Sequence, residues 1–315
     1  MAPRKATKKK KVPKRTGGKA LRARSNMLEL VLYTAQRTLQ EHDGRCAGIK
    51  FNKLVFSIYQ KFQEAENPEL HFKLPYRWYL YGAVVDFGEL HGVVISDHPE
   101  DEPRSNVYYT GAPPKASEPA RSEIQHECDG FCERYPGDQR YKEMLREHYG
   151  SAKEPFQRAF LEWNFLVTDM AKGHEPVSAP ALLDRLDALA RGFPKEIAPG
   201  LGAPFSRLCL ALEGVLRRPM PPHLDEIVLI KDMAWDFWST FCLFLSQRFN
   251  ENISQPRLAA YKERAGKDLV AYKRRLMAAL ETVYLDPRNL REPDRESIKA
   301  LASMLAARVE GYFED

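Results

Sequence analysis

The sequence predicts a mostly α-helical protein: two packed helical domains preceded by a disordered basic N-terminal arm. Three observations lead there. Apolar residues recur at helical spacing over most of the chain, as at Phe51, Leu54, Val55, Ile58 and Phe62. The 315 residues are 43% hydrophobic, enough for two ordinary cores. Charge is segregated: residues 1–24 hold eleven Lys/Arg and no acid, leaving 37 basic against 43 acidic residues in the remainder.

The arm has almost no large apolar residue before Leu21. Such a segment cannot bury enough surface to offset its ordering entropy. Its cations are Arg4, Lys5, Lys8, Lys9, Lys10, Lys11, Lys14, Arg15, Lys19, Arg22 and Arg24. They suit counterion displacement from DNA or RNA without base readout; a solubilising tail is the plainer reading. No apolar signal segment precedes the body, and the five cysteines (Cys46, Cys128, Cys132, Cys209, Cys242) are irregularly spaced. Reduced thiols in a cytoplasmic or nucleoid setting are expected, without disulfides. The most apolar run, Ile227 to Leu245, is interrupted by Lys231, Asp232 and Asp236, so no membrane span is expected.

The first domain is expected over residues 25–172. Asn26, with Glu29 three residues on, offers a capping box for a helix that Asp43-Gly44 breaks. The Phe51 helix follows, with Asn52, Lys53, Gln60, Lys61 and Gln63 on its polar face, and Asn67-Pro68 ends it. Leu74-Pro75 then opens the densest aromatic segment: Tyr76, Arg77, Trp78, Tyr79 and Tyr81, followed by Gly82. A helix from Tyr76 toward Val85 is predicted. The rings suit a core, and equally a recognition surface, because Tyr, Trp and Arg dominate binding hot spots. Val84-Val85 and Val93-Val94-Ile95 admit short strands. Residues 96–122, rich in proline and acid, read as an exposed loop.

Further helices are predicted at Arg121–Tyr135, Asp138–Tyr149 and Lys153–Ala171. A second bundle, 176–315, takes helices at Ala179–Arg191, Pro204–Arg217, His223–Phe249, Pro256–Tyr284 and Asp294–Phe313. Ile227, Ile230, Ala234, Phe237, Trp238, Phe241, Phe244 and Leu245 give the third of that list, His223–Phe249, a broad apolar face, marking it as central. Lys and Arg on Pro256–Tyr284 read as a solvated face.

Chemistry-bearing patterns are sparse. His126-x-Cys128-x3-Cys132 lacks the second ligand pair that zinc sites use, so buried thiols are the expectation and no metal or cofactor is. His91, Asp97-His98 and Asp225-Glu226 have no nucleophile or oxyanion loop beside them, and Gly200-x-Gly202 is not a phosphate loop. No catalytic residue is assigned.

Phe51-Asn52-Lys53-Leu54-Val55-Phe56 resembles the Leu-x-Lys-Leu-Leu-Tyr helix of Panacea-type (SocA-like) antitoxin domains. In that family an aromatic segment ending in Tyr-Gly-Pro follows; here Trp78-Tyr79-Leu80-Tyr81-Gly82-Ala83-Val84 stands at a compatible distance, with Ala83 in place of the proline. The resemblance spans residues 26–95. It implies a helical module that binds and neutralises a protein partner without catalysis, as in a toxin–antitoxin pair, and carries over Lys53, Tyr81 and Gly82. With Arg77, Trp78 and Tyr79 these form the candidate partner-binding set. The alternatives are a DNA- or RNA-binding factor and an enzyme without a recognisable signature.

Deleting residues 1–24 is expected to abolish most of a sequence-independent, steeply salt-sensitive affinity for DNA or RNA while leaving thermal stability nearly unchanged. Equal affinity of the full and truncated chains at low salt would refute the arm as the binding element.

Overall fold

A computed structural model describes residues 17–90, 92–96, 105–137, 139–218 and 222–285. Its nine α-helices among these residues make the chain mostly α, as the periodicity predicts. Chain contacts divide it into two compact units. The first comprises residues 1–76 and 83–141, the second residues 77–82 and 142–315.

In the first unit, α1 (Gly17–Asp43) begins well ahead of Asn26, which is therefore an interior residue and not a cap. Residues 1–16 of the expected arm lie outside the described residues, whereas 17–24 are helical. A truncation at residue 24 therefore cuts into α1. Helix α2 (Gly48–Glu64) buries Phe51, Leu54, Val55, Ile58 and Phe62, the predicted stripe. It also buries Asn52 and Lys53, which the periodicity puts on the polar face.

The aromatic segment is not a helix. Strand β1 (Tyr76–Tyr79) and strand β2 (Gly82–Val85) replace it, with a Leu80-Tyr81 turn between. Pro75 precedes a run of strand formers, and Gly82 takes φ 99°, a left-handed value that glycine adopts without strain. Residues 77–82 of this stretch belong to the second unit.

Strand β3 (Val93–Ser96) pairs antiparallel with β4 (Asn106–Tyr109), in register Val93 to Tyr109 and Ser96 to Asn106. The expected 96–122 loop thus contains a strand, and its residues 97–104 lie outside the described ones. Val107 N–H donates to the Cys46 carbonyl at 2.9 Å, tying β4 to the start of α2. Helix α3 (Glu118–Arg134) packs on α1 and α2, burying Ile124, Cys128, Phe131 and Cys132.

The second unit takes most of α4 (Tyr141–Gly150), then α5 (Pro155–Ala171), α6 (Ala179–Gly192), α7 (Gly202–Leu216) and α8 (Leu224–Arg248). A two-residue strand β5 (Asn250–Glu251) and α9 (Gln255–Leu285) complete it. The helix predicted at Asp294–Phe313 lies outside the described residues. Caps explain several starts. Glu154 and Gln157 form a capping box at α5, His223 and Glu226 another at α8, and Ser178 Oγ accepts the Ala181 N–H at α6. The core is aromatic: Phe160 stacks on Trp238 at 4.2 Å, Phe156, Phe237 and Phe241 contact that pair, and Phe193 and Phe205 pack on Phe156. Helix α8 is central, packing on α5, α7 and α9.

Segment 77–82 is gripped by α8 and α4. The Leu80 carbonyl accepts from Trp238 Nε1 and from Tyr149 Oη, both at 2.8 Å. Trp78 N–H donates to the Phe249 carbonyl at 2.9 Å, and Ser246 Oγ donates to the Trp78 carbonyl at 2.7 Å. Tyr149 and Trp238 are each 1% exposed, so their donors have no access to bulk water as a substitute. Tyr149→Phe is expected to lower unfolding free energy by about 1–2 kcal/mol, read from the urea midpoint. An unchanged midpoint would show that the Leu80 carbonyl does not depend on this donor.

Candidate functional site

The site residues picked out by sequence fall into two places. Lys53 belongs to the first unit. Its side chain is fully buried, and Nζ donates to the Ala83 carbonyl at 3.1 Å. Asn52 beside it accepts the Val85 N–H at 2.8 Å and donates to the Gly48 carbonyl at 2.7 Å. Two consecutive polar side chains of α2 therefore hold β2, and that is why they are buried. Burial alone pushes the Lys53 amine down from its ordinary 10.5 to about 7. Lys53 presents nothing to a partner.

Arg77, Trp78, Tyr79, Tyr81 and Gly82 belong to the second unit. Trp78 is 2% exposed and packs edge-on against Tyr149, and Gly82 is buried. The Arg77 guanidinium lies between two rings, 4.3 Å from Tyr79 and 4.4 Å from Tyr261, and Nη1 donates to Ser246 Oγ at 3.1 Å. Tyr81 packs on Trp235 at 5.4 Å. Arg77, Tyr79 and Tyr81 are half-buried. Burial pushes both tyrosine hydroxyls above their usual range. The six residues do not form one exposed face, because Lys53, Trp78 and Gly82 are buried.

The surface that sequence reasoning missed is an open cleft of about 610 Å³ in the first unit, between α1 and α3 and beside Pro113-Pro114. Tyr33 and Arg37 of α1 line one side, Arg121, Gln125 and Asp129 of α3 the other. Arg37 bonds Tyr33 Oη at 3.2 Å and Glu41 at 2.7 Å, and hydrogen bonding to both raises its pKa. Gln125 bridges Thr38 and Asp129, and Arg121 donates to the Pro114 carbonyl at 3.0 Å. The signal was present as two polar stripes at spacing four, 33/37 and 121/125/129. Nothing in the linear order pairs one stripe with the other.

The remaining candidates resolve locally. All five thiols are free and buried, and desolvation raises their pKa values, Cys132 to about 11 and Cys46 to about 12. Among the described residues no three metal-ligating side chains come together. Glu226 of the Asp225-Glu226 pair caps α8 and binds Arg218 at 2.6 Å. His91, Asp97 and His98 lie outside the described residues, as do Arg4, Lys5, Lys8, Lys9, Lys10, Lys11, Lys14 and Arg15. Lys19, Arg22 and Arg24 fall on the first turns of α1. Among the described residues no helix is long and apolar enough to cross a membrane. No protein-family profile, curated protein or solved structure matches the chain.

Lys53 makes stability pH-dependent with a definite sign. Between about pH 7 and 10.5 the unfolded chain holds a proton on this amine that the folded chain does not, so folding becomes more favourable as pH rises through that window. The slope approaches about 1.4 kcal/mol per pH unit. Lys53→Met removes it. Urea unfolding between about pH 7 and 8.5 should show the wild type gaining on the variant as pH rises, the ionisation of unfolded thiols being common to both chains. Parallel curves would show that the amine is charged in the folded state.

Proposed function

We propose that this chain is a non-enzymatic binding and regulatory protein, similar to Panacea-type antitoxins, that recognises a protein partner and gains auxiliary nucleic-acid affinity from its basic N-terminal residues in the cytoplasm or nucleoid. One observation carries the reading. The two stretches on which the resemblance rests, 51–56 and 78–84, meet in the hydrogen bond from Lys53 to the Ala83 carbonyl. The lysine of the first stretch is thereby tied to the second. The family's proline at the Ala83 position would supply the same acceptor, since proline keeps its carbonyl. On this reading Lys53, Tyr81 and Gly82 are framework residues that shape the module. Contact with the partner passes to exposed surface, for which the Tyr33, Arg37 and Arg121 cleft has hot-spot composition.

The test uses the full chain coexpressed with the product of a neighbouring toxin-like reading frame. A stoichiometric complex that survives nuclease treatment is expected, with Arg37→Glu/Arg121→Glu weakening it and leaving the unfolding midpoint in place. Association that disappears with nuclease would instead make nucleic-acid binding the principal activity. Absence of any complex would overturn the proposal.

A further inference from the structure

The second unit contains a small pocket where the start of α7 meets the later half of α9. Its volume is about 200 Å³. Pro199 and Gly200 approach it from the 3-10 turn before α7, and Ala203, Pro204 and Arg207 from the first turns of that helix. Lys273, Leu276 and Met277 face it from α9, at the i, i+3, i+4 spacing that puts them on one side of a helix. Two features define what it can hold. Among the described residues its charged lining is two cations, Arg207 and Lys273, with no carboxylate. The remaining walls are prolines, Ala203, Leu276 and Met277, with Gly200 at the edge.

A cation pair against apolar walls selects an amphipathic anion. Inorganic phosphate would meet the cations but leave the apolar walls unused. An uncharged hydrocarbon would fill the walls and leave the Arg207 guanidinium without an acceptor. Size narrows the choice further: at about 200 Å³ the space lies below the ~300–1,000 Å³ of pockets that hold drug-sized ligands and cofactors. Nucleotides and dinucleotides are too large. Arginine favours planar, two-oxygen acceptors, which points to carboxylate as the anionic group. Arg207 makes no ion pair or side-chain hydrogen bond to another described residue.

We propose that this pocket binds a small amphipathic monocarboxylate, an aryl or short-chain aliphatic acid, with Arg207 and Lys273 on the carboxylate and Pro204, Leu276 and Met277 around the apolar part. The site is distinct from the cleft on the first unit and does not depend on the antitoxin reading.

Calorimetric titration of the full chain with benzoate and with hexanoate tests it, using benzamide, hexanamide and inorganic phosphate as matched controls. Both acids should bind, the amides roughly ten-fold or more weaker, and phosphate without measurable heat. Arg207→Gln should weaken the acids by roughly ten-fold at an unchanged unfolding midpoint, and Ala203→Leu should block them by filling the pocket. Should Arg207→Gln fail to fold, Lys273→Gln, on the opposite helix, carries the same expectation. Absence of acid binding, acids and amides binding alike, or acids binding undiminished to both pocket variants would overturn the assignment.

Discussion

A single backbone carbonyl, that of Leu80, receives hydrogen bonds from two buried aromatic side chains, Trp238 and Tyr149. Much of the second unit's organisation follows from that demand. The turn containing Leu80 is part of a six-residue segment bounded on both sides by chain of the first unit. To belong to the second unit it must be held by contacts far away in sequence. Helix α8 supplies them along one stripe. Trp235 meets the Tyr81 ring, Trp238 the Leu80 carbonyl, and Ser246 both Arg77 and the Trp78 carbonyl. The spacing is that of a single helix face. The helix rises while the segment descends, so each step along one is matched by a step along the other.

In the first unit the corresponding constraint is polar and expensive. Burying a lysine amine against a neutral carbonyl sacrifices most of its hydration, and the amine responds by losing affinity for its proton. A leucine at position 53 would avoid that cost. It would also give up a directional bond that accepts one carbonyl and one strand placement, and Asn52 adds a second such bond to the Val85 N–H. Buried polar groups of this sort act more on the choice of structure than on its stability. The pairing of Lys53 with Asn52 fits that role, because together they contact both a donor and an acceptor of β2.

Most helices were legible because their periodicity is set by local sequence. Starts at Ala179 and Pro155 carry visible caps, and α8 appears almost whole in the apolar spacing around Trp238. What could not be read depends on distance. The burial of Asn52 and Lys53 requires β2 to lie on the face that periodicity assigns to solvent. Trp78 and Tyr81 stand three apart, which suits a helix, while the β-formers and Gly82 favour strands and a turn; the tie is broken by Ser246 and Phe249. Arg77 and Ser246 are 169 residues apart in sequence. The unit boundary at Tyr141 and the excursion at 77–82 follow from the same long-range contacts, and the cleft between α1 and α3 joins two stripes that each read as ordinary solvated surface.

The aromatic segment shows why composition cannot separate a binding surface from a core. Trp, Tyr and Arg mark interfaces because each couples a large apolar area to a polar handle that needs a partner. Folding of a segment against distant helices makes the same demands as association of two proteins. Here the polar groups that are bonded find their partners within the second unit, though Arg77 Nε is buried without an acceptor among the described residues. Trp238 and Tyr149 donate to one carbonyl, and the Arg77 guanidinium is stacked between Tyr79 and Tyr261 with its Nη1 on Ser246. An exposed hot spot would leave such handles directed at solvent. It is the direction of the polar groups, set by residues 69 to 169 positions away, that makes Arg77–Gly82 an internal recognition element.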